Sequence, residues 1–172
     1  MLDAARYTAA EAMRDGRRLE IRALKPQDKD DMQAAMDRSS PQSLYRRFFG
    51  AKRSFSDKEV AFFMNVDFVK HVALVAVADE RGHATVVAGG RYIVDRPGTA
   101  EVAFAVIDEY QGQGIGAALL RNLIILARDA GLKEFTAEVL PENIPMLKVF
   151  EKSALKMSTK HEAGTVHVAL QL

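Results

Sequence analysis

Tyr110-Gln111-Gly112-Gln113-Gly114-Ile115-Gly116-Ala117 is the stretch whose reading decides how this chain folds. It lies between an apolar run, Ala100 to Ile107, and a segment from Gly114 to Ala130. In that segment Leu119, Leu123, Leu126 and Ala130 recur at helical spacing. Three alternating glycines at a helix start are costly, because glycine gives up more conformational freedom than any other residue. On one reading they serve only close packing in a flexible turn. On the other they let backbone N–H groups approach a ligand, where a helix N-terminus adds unpaired donors and a positive dipole end. The second reading favours a phosphate or pyrophosphate.

Working outward, Ala100 to Ile107 reads as a strand, and Pro97-Gly98 turns the chain before it. Val72 to Ala78 and Ala84 to Val94 are two more strands, joined at Asp79-Glu80-Arg81-Gly82, so the three form an antiparallel meander. Upstream, Leu19 to Leu24 alternates apolar and polar residues as a half-buried strand does. Pro26 and Asp28 open a helix to about Asp37, and Ser40-Pro41 opens a second through Tyr45 and Phe49. Ser56-Asp57-Lys58-Glu59 is a capping-box pattern opening a third helix, to about Asn65. Residues 1–18 stay open between a short helix from Ala4 to Met13 and a strand from Thr8 that turns at Asp15-Gly16. Downstream, Gly131 caps the glycine-opened helix, Phe135 to Leu140 is a strand, Ile144 to Lys152 a helix, and Leu155 to Leu170 a hairpin around Gly164. The expected class is α+β, a single domain over residues 1–172 with 1–18 as an extension.

Composition narrows the function. The 172 residues are 48% hydrophobic and 27% charged, enough for one full core. There is no cysteine, so no thiolate metal site or cysteine nucleophile. Lys+Arg 24 against Asp+Glu 23 gives a net charge of +1, which demands no nucleic-acid partner. No apolar run reaches the roughly 18 residues that span a bilayer, and the N-terminus lacks an apolar signal core. We expect a cytoplasmic protein without a membrane anchor. His71, His83, His161 and His167 show no metal-ligand spacing, so no metal is expected. Met146 and Met157 read as packing residues; Phe48, Phe49, Phe62 and Phe63 could line a groove, but at helical spacing they read as packing residues too.

Gly112-x-Gly114-x-x-Ala117 also fits a dinucleotide-binding fingerprint. That fold needs a parallel sheet and an acid some 20 residues on. Glu134 and Glu138 lie near that distance, but the strands before the motif are antiparallel and only one helix and a hairpin follow the next strand.

Gln111-x-x-Gly114-x-Gly116 resembles the acetyl-CoA pyrophosphate motif of the GNAT superfamily of N-acetyltransferases, Q/R-x-x-G-x-G/A. The order of elements over roughly residues 19–172 resembles that fold too: a mixed, mainly antiparallel sheet with helices on both faces. The resemblance implies acetyl-CoA as cosubstrate. Val106 and Ile107 would hold its pantetheine arm. The pyrophosphate would lie on the amides of Gln111, Gly112, Gln113, Gly114, Ile115, Gly116 and Ala117. Asn143 would approach the arm, and Asn is also a favoured helix N-cap. Acyl transfer to an amine needs a base, since a lysine ammonium has a pKa of about 10.4. Glu101 is the candidate. The other residues of its strand are apolar, which suggests a partly dry cleft that would raise its pKa. By the same resemblance the Ala105 N–H would receive the thioester oxygen. Relatives often carry a Tyr as acid where this chain has Phe150; Tyr110, Tyr92 or Tyr45 could substitute, or solvent could protonate the thiolate.

Ser40-Pro41-Gln42-Ser43-Leu44-Tyr45-Arg46-Arg47-Phe48-Phe49 is similar to a stretch of Pat-type bacterial protein lysine acetyltransferases. Ala100 to Phe104 and Glu138 to Met146 resemble the same group. That group acetylates a lysine of acyl-CoA synthetases, so the resemblance implies a protein acceptor. Arg46 and Arg47 could meet acidic groups of that partner, and Tyr45 or Phe49 could wall a lysine channel. Ser153-Ala154-Leu155 departs from the Leu-Gly-Phe turn of many relatives. A small-amine acetyltransferase and a non-catalytic acyl-CoA sensor are the alternatives, and a sensor has no need of Glu101.

Overall fold

The computed structural model describes residues 1–48 and 56–172, with the backbone alone at Tyr45 and Phe48. Its centre is an eight-stranded sheet in the order β1-β2-β3-β4-β5-β6-β8-β7. Thr8–Ala12 (β1) and Arg18–Ala23 (β2) pair antiparallel, so the N-terminal segment takes the hairpin reading, with a 3₁₀ turn at Ala4–Arg6 in place of a helix. His71–Glu80 (β3), His83–Arg96 (β4) and Thr99–Val106 (β5) form the expected meander. Glu134–Val139 (β6) precedes the C-terminal hairpin Met157–Glu162 (β7) and Thr165–Gln171 (β8).

Three helices lie between β2 and β3: Lys29–Asp37 (α1), Pro41–Phe48 (α2) and Asp57–Met64 (α3). The capping box at α3 is formed, with the Ser56 amide donating to Glu59 Oε1 at 3.1 Å and the Glu59 amide to Ser56 Oγ at 3.2 Å. Ile115–Asp129 (α4) follows the glycine stretch and Ile144–Glu151 (α5) follows β6. The sequence-expected elements are thus present; Phe49, the expected end of the second helix, lies outside the described residues.

Strand alternation divides the interior into two layers. Val72, Leu74, Ala76 and Ala78 of β3 join Ala100, Val102 and Phe104 of β5 in the large core beneath α4. Ala73, Val75 and Val77 face the other way, into a smaller core closed by Met32 of α1 and Met64 of α3. Helices therefore cover both faces of the sheet. Glu101, Ala103 and Ala105 are the odd residues of β5, so they lie on the α1–α3 side.

The feature that positions the site is a parting of strands. Among the described residues β5 and β6 are the only parallel neighbours in the sheet, and they pair at three positions, Thr99↔Glu134, Ala100↔Phe135 and Glu101↔Thr136. Beyond Glu101 the two diverge. Among the described residues the edge of β5 from Val102 to Val106 has no partner strand on that side, although β6 continues to pair with β8 as far as Val139.

Candidate active site at the parting of β5 and β6

The glycine stretch sits at the far end of the open β5 edge. Gly112 and Gly114 both hold left-handed backbone, at φ +81 and +82, and a Cβ built on either meets no atom within 4 Å. Gly114 is the N-cap of α4, with no side-chain cap. The first intrahelical bond there runs from the Ala118 amide to the Gly114 carbonyl at 3.1 Å, so the amides of Ile115, Gly116 and Ala117 precede the helical ladder. Donors at the positive end of a fifteen-residue helix, with open space before them, suit an anion. Gly116 differs: a Cβ there would make ordinary contact with Val149 at 3.6 Å, consistent with a motif that accepts Ala at this position.

Several residues expected on the cofactor also fasten the loop. The Gln111 side chain donates to the Val106 carbonyl and to Ser43 Oγ, both at 3.0 Å, and its amide donates to the Asp108 carbonyl at 3.2 Å. The Ile107 amide donates to Val87 at 3.0 Å and its carbonyl accepts from the Tyr110 amide, also at 3.0 Å, while the residue is buried. Both main-chain groups of Ile107, the Gln111 side chain and amide, and the Val106 carbonyl therefore each make a bond within the protein. The physical reason is local: a strand that ends and turns through the 3₁₀ segment Asp108–Tyr110 must satisfy its own terminal groups. The Gln113 carbonyl accepts from Arg14 at 2.9 Å, and Gln113 Oε1 from the Asp15 amide at 3.2 Å, which ties the loop to the β1–β2 turn. The amides of Ile115, Gly116 and Ala117 lie ahead of the helical ladder, with open space at Gly112 and Gly114 before them.

Glu101 is exposed, not held in a dry cleft. Its apolar strand neighbours Ala100, Val102 and Phe104 bury themselves on the opposite face, so they report the dryness of that face and not of its own. Ala105 is exposed as well and lines a cavity of about 110 Å³ between the sheet and α1–α3. Arg47 and Arg91 are its charged lining residues. Glu101 lies close enough for its charge to act on Arg47, whose guanidinium is pushed below its ordinary range by burial while Glu101 opposes the shift. Arg91 Nη1 donates to the Phe63 carbonyl at 3.0 Å and contacts His71 Nε2 at 2.8 Å, and its guanidinium stacks 4.9 Å from the Phe63 ring centre. Burial, then the nearby Arg47 charge, lower Arg91 to about 9; burial and Arg91 lower His71 to about 4. His71 is thus a neutral acceptor for Arg91.

Sequence reasoning missed Arg91. The available signal is an arginine between Gly90 and Tyr92 in the middle of an apolar strand. It also placed Phe62 among packing residues, whereas Phe62 is 53% exposed, on the outer side of α3, with its ring 5.4 Å from His71. The substitute acids fare as follows. Tyr92 is fully buried against Phe135, and the Tyr110 hydroxyl donates to Glu80 at 2.7 Å, so both are occupied elsewhere. Phe150 packs in the core against Phe104. The side chains of Tyr45 and Phe48, and all of Phe49, lie outside the described residues. Asn143 is the N-cap of α5, its Oδ1 accepting from the Met146 amide at 3.4 Å. Among the described residues no three His, Asp or Glu side chains converge as a metal site requires, and no helix is long and apolar enough to cross a membrane.

Comparison with known proteins agrees with this geometry. Residues 38–154 match the model of the acetyltransferase (GNAT) family. An acetyltransferase of Pseudomonas aeruginosa is 33% identical over 125 residues, 72% of this chain and 67% of the relative. Acetyltransferase Pat of Mycolicibacterium smegmatis is 35% identical over 115 residues, 66% of this chain but 34% of the relative, so the match spans about a third of that protein. Among solved structures, the GNAT domain of S. lividans PAT superposes with a TM-score of 0.87 at 33% identity, covering 96% of this chain and 97% of that domain. A sheet that opens beside β5, a glycine-opened helix at the opening and a family match over the span holding both leave one assignment: the chain is an acyltransferase belonging to the GNAT acetyltransferase family.

Proposed function

We propose that this chain transfers the acetyl group of acetyl-CoA to a lysine of a folded protein, with an acyl-CoA synthetase as the target class. The observation that carries the acetyl-CoA part is the parting of β5 and β6 after Glu101↔Thr136, with an uncapped helix N-terminus at the end of the opened edge. In this reading the pyrophosphate lies on the amides of Ile115, Gly116 and Ala117, with Gly112 and Gly114 keeping the approach clear. The pantetheine arm runs along the open β5 edge, and Asn143 borders it. The protein-lysine part rests on the likeness to the Pat group, including the segment from Ser40 to Phe49.

The chemistry follows from the strand. Glu101 takes a proton from the lysine ammonium, directly or through a water, and the freed lone pair attacks the thioester carbonyl carbon. The Ala105 N–H receives the developing oxyanion. The C–N bond forms, the C–S bond breaks, and the CoA thiolate takes a proton from solvent. An exposed Glu101 is compatible with this role, because a docked protein surface would itself exclude water from the carboxylate.

The test has two steps. Calorimetry should show acetyl-CoA binding with no comparable binding of NAD, and Gly114→Val should weaken it by placing a side chain on left-handed backbone in the space before the helix. The protein is then incubated with acetyl-CoA and a purified acyl-CoA synthetase, with a polyamine and amino-acid panel in parallel, and modified lysines are mapped by mass spectrometry. Saturable NAD binding without CoA binding sinks the cosubstrate assignment; acetylation of a small amine with no intact protein modified sinks the acceptor assignment.

A further inference from the structure

Among the described residues the cavity beside Ala105 is lined by two cations and no carboxylate. Its lining is apolar apart from Ser39, Arg47 and Arg91. Arg91 reaches it from the middle of β4, directly across the strand pair from Ala103. Its Nη1 is committed to the Phe63 carbonyl and to His71 Nε2. No bond to its Nε or Nη2 is found among the described residues, and no carboxylate is among the groups whose charge acts on it. Glu101 acts on Arg47 instead, and the Asp67 carboxylate is already taken by the amides of Val69, Lys70 and His71. Between Asp37 and Asp57 the chain has no acidic residue, while Arg38, Arg46, Arg47, Lys52 and Arg53 fall there. A guanidinium half-withdrawn from water is costly unless an anion meets it. It remains charged at neutral pH, since its pKa of about 9 is still above 7.

We propose that this cavity is a carboxylate-binding subsite, anchored by the free Nε–Nη2 edge of Arg91 with Arg47 beside it, so that one of the two substrates of acyl transfer carries a carboxylate into it. The fork of one guanidinium edge matches the two oxygens of a carboxylate. Holding Nη1 on Phe63 and His71 fixes the plane of that fork before any ligand arrives. Two sources supply the chemistry: the far end of a dicarboxylic acyl group on CoA, or an acid next to the acceptor amine. The assignment of either source rests on the acyl-transfer reading above, whereas the anion site itself does not.

The experiment separates the two. Glutarate is titrated into the full chain and followed by calorimetry and amide NMR, with neutral glutaramide as control, and circular dichroism checks that each variant is folded. Glutarate should bind saturably and glutaramide should not. Arg91→Gln should weaken glutarate by about tenfold or more, the low end for a charge-assisted pair. Arg91→Lys, which keeps the charge but loses the fork, should weaken it too, and Arg81→Gln on the β3–β4 turn should leave it unchanged. No glutarate binding, or equal binding by Arg91→Gln, overturns the subsite whatever acetyl-CoA does. The source is read from two further arms, glutaryl-CoA against acetyl-CoA binding, and lysine peptides flanked by Glu against Gln as acceptors. A carboxylate preference in one arm that disappears in Arg91→Gln identifies the source; no preference in either arm overturns the link to acyl transfer. Absence of acetyl-CoA binding, with glutarate still bound, would instead strike the proposed function alone.

Discussion

Glu101 shows what a single position can and cannot reveal. Its strand was apolar enough to suggest a dry carboxylate, yet β5 alternates, and Ala100, Val102 and Phe104 spend their hydrophobicity under α4. The companions on its own face are Ala103 and Ala105, too small to cover it, and β6 turns away just beyond its partner Thr136. In the mechanism proposed above, an exposed Glu101 is one that a docked acceptor would dry. Glu101→Gln should lower turnover at neutral pH by about 10²–10⁴, the usual worth of a positioned general base. Acetyl-CoA affinity should stay level, since in the proposed mechanism the carboxylate serves the acceptor amine. The deficit should narrow as pH approaches the lysine value of about 10.4, where the amine needs no base. Steady-state rates across that pH range check this, and a deficit that is the same at every pH would mean the side chain positions the acceptor without moving its proton.

At the scale of elements, packing between β4 and α4 has a sharper requirement than the sequence suggested. A Cβ on Gly90 would lie 2.8 Å from Phe104 Cδ1 and 3.4 Å from Leu119 Cβ. Phe104 cannot simply retreat, because Phe150 packs behind it, the two ring centres 6.1 Å apart. Gly90→Ala should therefore cost about 1–3 kcal/mol by overpacking, read as a lower urea midpoint with an unchanged slope, and Phe104→Leu in the same chain should recover part of it. An unaltered midpoint would mean that the ring layer is looser than drawn. The meander, the capping box and the glycine-opened helix were legible because each is written locally, in periodicity, turn residues and caps. The N-terminal strand was legible only as one of two alternatives. Thr8–Ala12 is alanine-rich and half exposed, with no period of its own, and long-range contacts decide it. Beside β2, it is held by Glu11, which accepts from Asn122 at 3.0 Å and from Arg121 at 2.8 Å, while the Tyr7 hydroxyl donates to Asn122 at 2.6 Å. In the candidate site the open glycines were legible from spacing, but the bonds that Gln111, Gln113 and Ile107 make to Ser43, Arg14, Asp15 and Val87 were not, because partners distant in the chain leave no mark on spacing.

Across the whole molecule, one charged network joins the helical layer to the glycine loop. Arg38, just past α1, forks onto Glu80 at the end of β3, at 2.8 and 2.9 Å, and reaches Glu109 at 3.0 Å. Tyr110, one residue before Gln111, donates to the same Glu80, and Arg17 of the β1–β2 turn lies 5.3 Å over the Tyr110 ring. The Arg38 bonds, then the Tyr110 bond, hold the Glu80 carboxyl at about 2, below its ordinary 4.5. The sign of the consequence is fixed. A carboxylate whose folded pKa is depressed adds stability above the unfolded value and loses it as pH falls through the folded one. The contribution of Glu80 is thus complete at neutral pH and declines between about 4.5 and 2. Because the Arg38 and Glu80 side chains are 29% and 30% exposed, salt should weaken it. Urea unfolding at pH 5, 4 and 3 should show stability falling with acid in the wild type. In Arg38→Gln, where Glu80 titrates closer to its ordinary value, the fall over this window should be shallower and less sensitive to salt. Asp28, paired with Arg22 at 2.8 Å and also depressed, adds a background slope common to both proteins, so the difference between them isolates the network. Parallel pH profiles for the two proteins would show that Glu80 gains nothing from Arg38.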